Sequence, residues 1–153
     1  MKKLKVGDLA PKIECKNQDG NIIKLSNFIG KKVVIFFYPR ANTPGCTAQA
    51  CNLRENYSKF KKGGYEILGV SADNQKSQNK FSSKYNLPFN LCCDENKEII
   101  NDYGVWGLKK FRGNEYMGII RTTFIIDEEG KIEDIIEKVK TKEHSSQIIQ
   151  QNY

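Results

Sequence analysis

Residues 43–51 read Thr-Pro-Gly-Cys-Thr-Ala-Gln-Ala-Cys. Cys46 and Cys51 bring nucleophilic chemistry to this stretch. A thiolate attacks electrophilic oxygen or sulfur, and two thiols can close a disulfide. Their five-residue spacing is not the Cys-x-x-Cys of a redox motif or of most zinc sites. On a helix that spacing puts the two Cα atoms about 8.6 Å apart, from a ~7.5 Å rise and a ~4.3 Å chord. A disulfide needs roughly 4.4–6.8 Å. The pair therefore cannot bond while the helix is intact.

The neighbouring residues predict that helix. Thr43 suits the N-cap, and Pro44 suits the first helical position, where its missing N–H is not needed. Cys46 then falls in the first turn, beside unpaired backbone N–H groups and the positive end of the helix dipole, a location that favours a thiolate. Gly45 leaves room beside it. Cys46, Ala50, Leu53, Tyr57 and Phe60 follow a four-three-four-three spacing and share one face. Cys46 thus faces the protein. Cys51 lies about 140° around the helix, on a flank, and on its own reads as a small helix residue.

A wider view shows the elements that must hold this corner. Residues 32–38, Lys-Val-Val-Ile-Phe-Phe-Tyr, form a continuous apolar run that reads as a strand buried on both faces. Pro39 ends it and shapes the pocket beyond. The helix over 44–62 stops at Gly63-Gly64. Residues 65–71 predict a second buried strand, 74–86 a polar helix, 89–93 a short strand, 96–103 a helix, and then a loop holds Trp106. Residues 118–127 and 131–138 flank Glu129-Gly130 as a hairpin, and a weak helix covers 141–151. A short hairpin around Asp19-Gly20 precedes all of these. This order predicts a single α/β domain over residues 1–153. Its mixed central sheet is flanked by helices in a thioredoxin-like fold with an N-terminal β-hairpin extension. A flavodoxin-like fold fits less well, because the terminal hairpin breaks strict alternation.

Composition narrows the function classes. The chain has 153 residues, 39% hydrophobic and 28% charged, which suits one soluble domain. No apolar run approaches a membrane span. The basic start at Met1–Lys5 lacks the apolar stretch of a signal peptide, so the expected location is the cytoplasm. The net charge is +7, but the lysines are dispersed, which argues against nucleic acid as a partner. Five cysteines and one histidine suit neither a secreted disulfide framework nor a metal site.

Phe-Phe-Tyr-Pro-Arg-Ala-Asn-Thr-Pro-Gly-Cys-Thr-Ala-Gln-Ala-Cys (residues 36–51) resembles the active-site segment of the peroxiredoxins. It is most similar to the bacterioferritin comigratory protein, or peroxiredoxin Q, class. The family pattern Pro-x-x-x-Thr-x-x-Cys falls on Pro39, Thr43 and Cys46, and a second cysteine five residues on falls on Cys51. Residues 103–132 resemble the same class, and its arginine falls on Arg121. The resemblance runs from about residue 5 to 140. It implies the fold expected above and a thiol peroxidase acting on hydrogen peroxide and organic hydroperoxides. Cys46 would be peroxidatic and pass through a sulfenic acid. Cys51 would resolve it as a Cys46–Cys51 disulfide, recycled by thioredoxin or a related dithiol protein. No cofactor is implied, and the class implies a monomer. With that spacing, the first turns of the helix must unwind before the disulfide closes.

Ionisation alone cannot explain a fast peroxidase. A thiol of pKa ~8.5 is a few per cent ionised at pH 7, so full ionisation gains about thirtyfold at most. Donors aimed at the transition state must supply the remainder. The candidates are the Thr43 hydroxyl, the Gly45 and Cys46 N–H groups, and Arg121. Residue types alone do not choose Arg121 over Arg40, Arg54 or Arg112; the resemblance does. Other residues are expected to be structural. Cys92 and Cys93 point to opposite faces of a strand and belong to the core, with one of them an alternative resolving thiol at most. Cys15 is incidental, Trp106 packs at the active-site rim, Gln49 packs in the pocket, and His144 sits on the surface. Two other functions remain open on these residues. A thioredoxin-like disulfide reductase or chaperone lacks its Cys-x-x-Cys here. A basic binding protein would consume no peroxide.

Overall fold

Two apolar runs make the centre of the sheet. The chain, a computed structural model describing residues 3–152, places β3 (Lys32–Phe37) beside β4 (Tyr65–Ser71) in parallel. β5 (Asn90–Cys93) continues the parallel side. β8 (Thr122–Ile126) and β9 (Ile132–Ile136) add antiparallel strands on the other. The order is β5-β4-β3-β8-β9. Alternate residues of β3 serve two cores. Val33, Ile35 and Phe37 face one, while Val34, Phe36 and the following Tyr38 face the other. A strand so placed has no polar face, which is why its sequence does not alternate.

Helices α1 (Pro44–Glu55), α2 (Tyr57–Lys62), α3 (Gln75–Tyr85) and α5 (His144–Asn152) cover one face through Leu53, Phe60, Phe81 and Ile148. The other face is covered by α4 (Glu98–Asp102), through Ile99 and Ile100, and by the N-terminal hairpin of β1 (Glu14–Lys16) and β2 (Ile22–Lys24). Each fully buried Leu or Phe contributes roughly 1.5–3 kcal/mol, so both covers are held by their apolar stripes. The fold is the expected mixed α/β arrangement with an N-terminal hairpin. Among the described residues, no helix is long and apolar enough to cross a membrane. Met1 and Lys2 of the basic start lie outside the described residues.

The structure corrects three expected elements. The helix predicted over 44–62 is two helices. The Asn56 Nδ2 amide donates to the Asn52 carbonyl at 2.9 Å, and the Asn56 N–H turns to Leu53 O at 3.3 Å, which breaks the ladder. Trp106 is not in a loop. It opens β6 (Trp106–Phe111), which pairs with β7 (Asn114–Ile119) as a separate two-stranded ribbon. Arg112 and Gly113, at φ 51° and 81°, form its turn; two positive φ values suit a tight hairpin and favour glycine. The last helix begins as a short 3-10 turn at Thr141–Glu143.

Cys15 is not incidental. It forms a disulfide with Cys92 across a separation of 77 residues, with Cα atoms 5.9 Å apart. The bond ties the N-terminal hairpin to edge strand β5 within the core on the α4 face. Cys93 is half-buried on the opposite side of β5, and burial, with Glu95 and Asp73 nearby, pushes its thiol up to about 11. It is therefore a weak nucleophile at neutral pH. Closing a loop of 77 residues removes unfolded-state entropy worth about 4.5 kcal/mol. Without reductant, Cys15→Ser should lower Tm by about 10 °C in thermal unfolding, and dithiothreitol should bring wild type down to match it. Equal Tm values without reductant would show that the bond contributes nothing in solution.

Candidate active site

The carboxyl ends of β3, β4 and β5 carry a polar network that places the corner before α1. Tyr38 is fully buried, and burial raises its pKa, so its phenol stays protonated and donates to Gln78 Oε1. Gln78 Nε2 donates to Ser71 Oγ at 2.9 Å and to Cys92 O at 3.1 Å. Ser71 Oγ donates to Asp73 Oδ2 at 2.6 Å, and the same carboxylate oxygen accepts the Ala41 N–H at 2.8 Å. The loop between Pro39 and Thr43 is thereby tied to β4. Asn42 turns it with φ 64°, a conformation that asparagine tolerates better than most residues. None of Tyr38, Ser71, Asp73 and Gln78 stands out by spacing, because their partners come from separate strands and α3.

α1 begins where the sequence predicts. Thr43 stands at the N-cap with Pro44 after it. The first intrahelical bond runs from Thr47 N to Thr43 O at 2.8 Å, so the Gly45 and Cys46 N–H groups precede the helical ladder. Thr43 does not cap with its side chain. Its hydroxyl donates to Arg40 O at 2.9 Å, which leaves the oxygen as an acceptor. Pro39 is half-buried at the strand end.

Cys46 is a free thiol, 1% exposed. Arg121 lies in the break between β7 and β8 and reaches across to it, with Nη2 3.3 Å from Cys46 Sγ. Arg121 Nη1 donates to Gln49 Oε1 at 2.6 Å. Gln49 is fully buried one turn after Cys46, and its Nε2 has no hydrogen-bond partner among the described residues. A Cβ on Gly45 would sit 3.2 Å from Arg121 Nη2, so glycine there lets the guanidinium approach. Lys109, half-buried on β6, donates to Ile119 O at 2.9 Å. Burial and then Arg121 lower its pKa, against the pull of Cys46, which puts a second cation in electrostatic reach of the sulfur. Lys109 carries no signal in the sequence, since the ribbon that presents it was not expected.

Arg121 is thus the arginine the structure brings to Cys46. Arg54 instead donates to Tyr85 O at 2.7 Å, Arg112 lies over the Phe111 ring in the ribbon turn, and Arg40 is exposed. Cys51 is a half-buried free thiol on the same intact helix. Trp106 packs against the α4-side core and faces Lys97 at 5.2 Å, so it is not grouped with Cys46. The Cys15–Cys92 bond lies in that same core, with the sheet between it and Cys46. Among the described residues, no three His, Cys, Asp or Glu side chains converge as metal ligands would.

The chain matches the AhpC/TSA family over residues 6–135, and it belongs to that family. It is 44% identical to peroxiredoxin Bcp of Escherichia coli over 149 residues, covering 97% of this chain and 96% of that protein. The crystal structure of BcpB from Mycobacterium tuberculosis superposes with a TM-score of 0.85 at 31% identity, covering 96% of this chain and 95% of that one. The bacterioferritin comigratory protein of Xanthomonas campestris also gives a TM-score of 0.85 at 31% identity, covering 91% and 88%. The fold is therefore thioredoxin-like, and the protein is a peroxiredoxin, a thiol peroxidase that uses peroxide substrates and a thiol reductant.

His144 is not on the surface. It is fully buried at the head of α5. Its Nδ1 donates to Gln147 Oε1 at 2.9 Å, so Nε2 accepts from Thr123 Oγ1 at 2.7 Å. Burial pushes its pKa from 6.5 down to about 4; the Gln147 hydrogen bond opposes this and Arg121 adds to it. Between those values the unfolded chain holds a proton that the folded chain does not. The stability His144 permits is complete above pH 6.5 and falls as the pH drops toward 4. At pH 5 the loss should be about 2 kcal/mol. Urea unfolding at pH 7 and pH 5 should show a drop in wild type that is smaller by that amount in His144→Asn. Equal drops would remove His144 from the acid response.

Proposed function

We propose that Cys46 is the peroxidatic cysteine and Cys51 its resolving partner. The observation that carries this is the Arg121 guanidinium 3.3 Å from a buried sulfur at the start of α1. The Cys46 thiolate attacks the terminal oxygen of a hydroperoxide. The O–O bond breaks, Cys46 becomes a sulfenic acid, and the alkoxide or hydroxide takes a proton from water. Arg121 and the Gly45 and Cys46 N–H groups stabilise charge on the two oxygens. The Thr43 oxygen accepts the O–H of the incoming peroxide, since its own proton is held by Arg40 O. Pro39 walls the pocket and limits water.

Cys51 thiol then displaces water from the sulfenic acid, closing a Cys46–Cys51 disulfide. A dithiol protein of the thioredoxin type takes up that oxidation and returns both thiols. This requires the front of α1 to unwind, because an intact helix holds the two sulfurs apart. The protein works as a cytoplasmic monomer in antioxidant defence, without cofactor, nucleic acid or membrane. Substrates include alkyl hydroperoxides as well as hydrogen peroxide, supported by the alkyl peroxide reduction ascribed to the Xanthomonas campestris relative.

Turnover of hydrogen peroxide and an alkyl hydroperoxide, coupled to thioredoxin and NADPH, tests the scheme. Cys46→Ser should abolish it, and unimpaired turnover there would end the proposal. Cys51→Ser should consume one equivalent and stall. In stopped-flow, Arg121→Ala and Thr43→Val should each slow the first step, Arg121→Ala by about a hundredfold. Parallel thiol titration should show a smaller change in ionisation. Losses that only track ionisation would refute both the donor role of Arg121 and the acceptor role of Thr43.

A further inference from the structure

If α1 must open for Cys46 to meet Cys51, the contacts that hold α1 decide where opening stops. The front of the helix is held by Arg121, through Cys46 and Gln49. The rear is held at Asn52, the residue after Cys51. Asn52 Nδ2 donates to Lys142 O at 2.9 Å, and Asn52 Oδ1 accepts the Ser145 N–H at 2.7 Å. The Asn52 carbonyl accepts Ser145 Oγ at 3.0 Å and Asn56 Nδ2 at 2.9 Å. Ser145 is 2% exposed. The next residue, Leu53, is fully buried in the core. Asn52 thus binds α1 to the Thr141–Glu143 turn and the first residues of α5.

This distribution is uneven in a useful way. The front attachment involves the reacting sulfur itself, so the chemistry at Cys46 alters it. The rear attachment involves no reacting atom and survives oxidation. We propose that Asn52 is a positioning residue that fixes the rear limit of unwinding, so that Cys46 moves to a held Cys51. In doing so it sets how the Cys46 sulfenic acid divides between two fates. In one, Cys51 thiol attacks, a disulfide forms and water leaves. In the other, a second hydroperoxide transfers one oxygen, giving the sulfinic acid and an alcohol or water. A held Cys51 restricts the routes to the disulfide and gives the second peroxide more time. The proposal rests on the roles assigned to Cys46 and Cys51 above.

Two measurements test it. Amide exchange on the oxidised protein should show lost protection over residues 47–51 and retained protection over 53–60. Asn52→Ala should extend the loss past 53. Peptide mapping after graded hydrogen peroxide should show that Asn52→Ala needs about three- to tenfold more peroxide for half over-oxidation, the effect of losing one or two net hydrogen bonds. Asn52→Asp keeps the acceptor for Ser145 N–H but loses the donor to Lys142 O, and its ratio should fall between those of Asn52→Ala and wild type. Ser145→Ala should shift it in the direction of Asn52→Ala, by less, and serves if Asn52→Ala fails to fold. The stopped-flow rate of the reduced thiol with peroxide should not change in any of these. If wild type forms no Cys46–Cys51 disulfide, the cysteine assignment fails and this inference with it. If the disulfide forms but boundary and ratio are the same in all variants, the role of Asn52 alone is overturned.

Discussion

A single guanidinium bridges the helix that carries Cys46 and the sheet that supports it. Arg121 donates to Cys46 Sγ and to Gln49 Oε1, both on the buried face of α1. Several local features follow from that reach. A Cβ at Gly45 would crowd the guanidinium, at 3.2 Å from Arg121 Nη2. Gln49 presents an oxygen where the helix stripe would otherwise be apolar. The strand system breaks between β7 and β8 so that Arg121 leaves the sheet at that point. Hydrogen bonds to charged groups are worth about twice neutral ones, and the guanidinium makes two at this helix start.

The corner itself is held from below. Tyr38, Gln78, Ser71 and Asp73 join the ends of three parallel strands to α3 and to the loop before Thr43. Each buried polar side-chain atom of these four residues has a partner, which is the condition for such a network to rigidify rather than weaken a core. The helix start is therefore fixed by two independent sets of bonds, one through the loop backbone and one through Arg121. The rear of α1 is fixed by a third, at Asn52.

The central strands and the start of α1 were legible because their signals are local. A continuous apolar run and a Thr-Pro pair need no distant partner to be read. The broken helix was less so, since an asparagine inside a helical pattern looks tolerable until its side chain takes the carbonyl four residues back. The ribbon from Trp106 to Ile119 was missed because only its two ends, Trp106 and Ile119, reach a core. Leu108, Phe111, Tyr116 and Met117 are all exposed, so no alternation of burial marked it. Arg121 could be chosen only by likeness to a family, because its meeting with Cys46 spans 75 residues. His144 and Cys15 were misread for the same reason. Their partners Thr123 and Cys92 lie on strands that no spacing rule connects to them.

The Cys15–Cys92 bond has a consequence for how oxidation is counted. The chain carries five cysteines, and the sheet divides their chemistry into two compartments. One pair is sealed beneath the N-terminal hairpin, and Cys46 belongs to the core on the other face. A bulk assay of free sulfhydryls adds the two compartments together. Disappearance of two sulfhydryls is then the same reading whether a clasp has shut or a turnover has occurred. Oxidation state in this protein is a vector rather than a scalar, and its components separate only when each sulfur is followed by its own peptide.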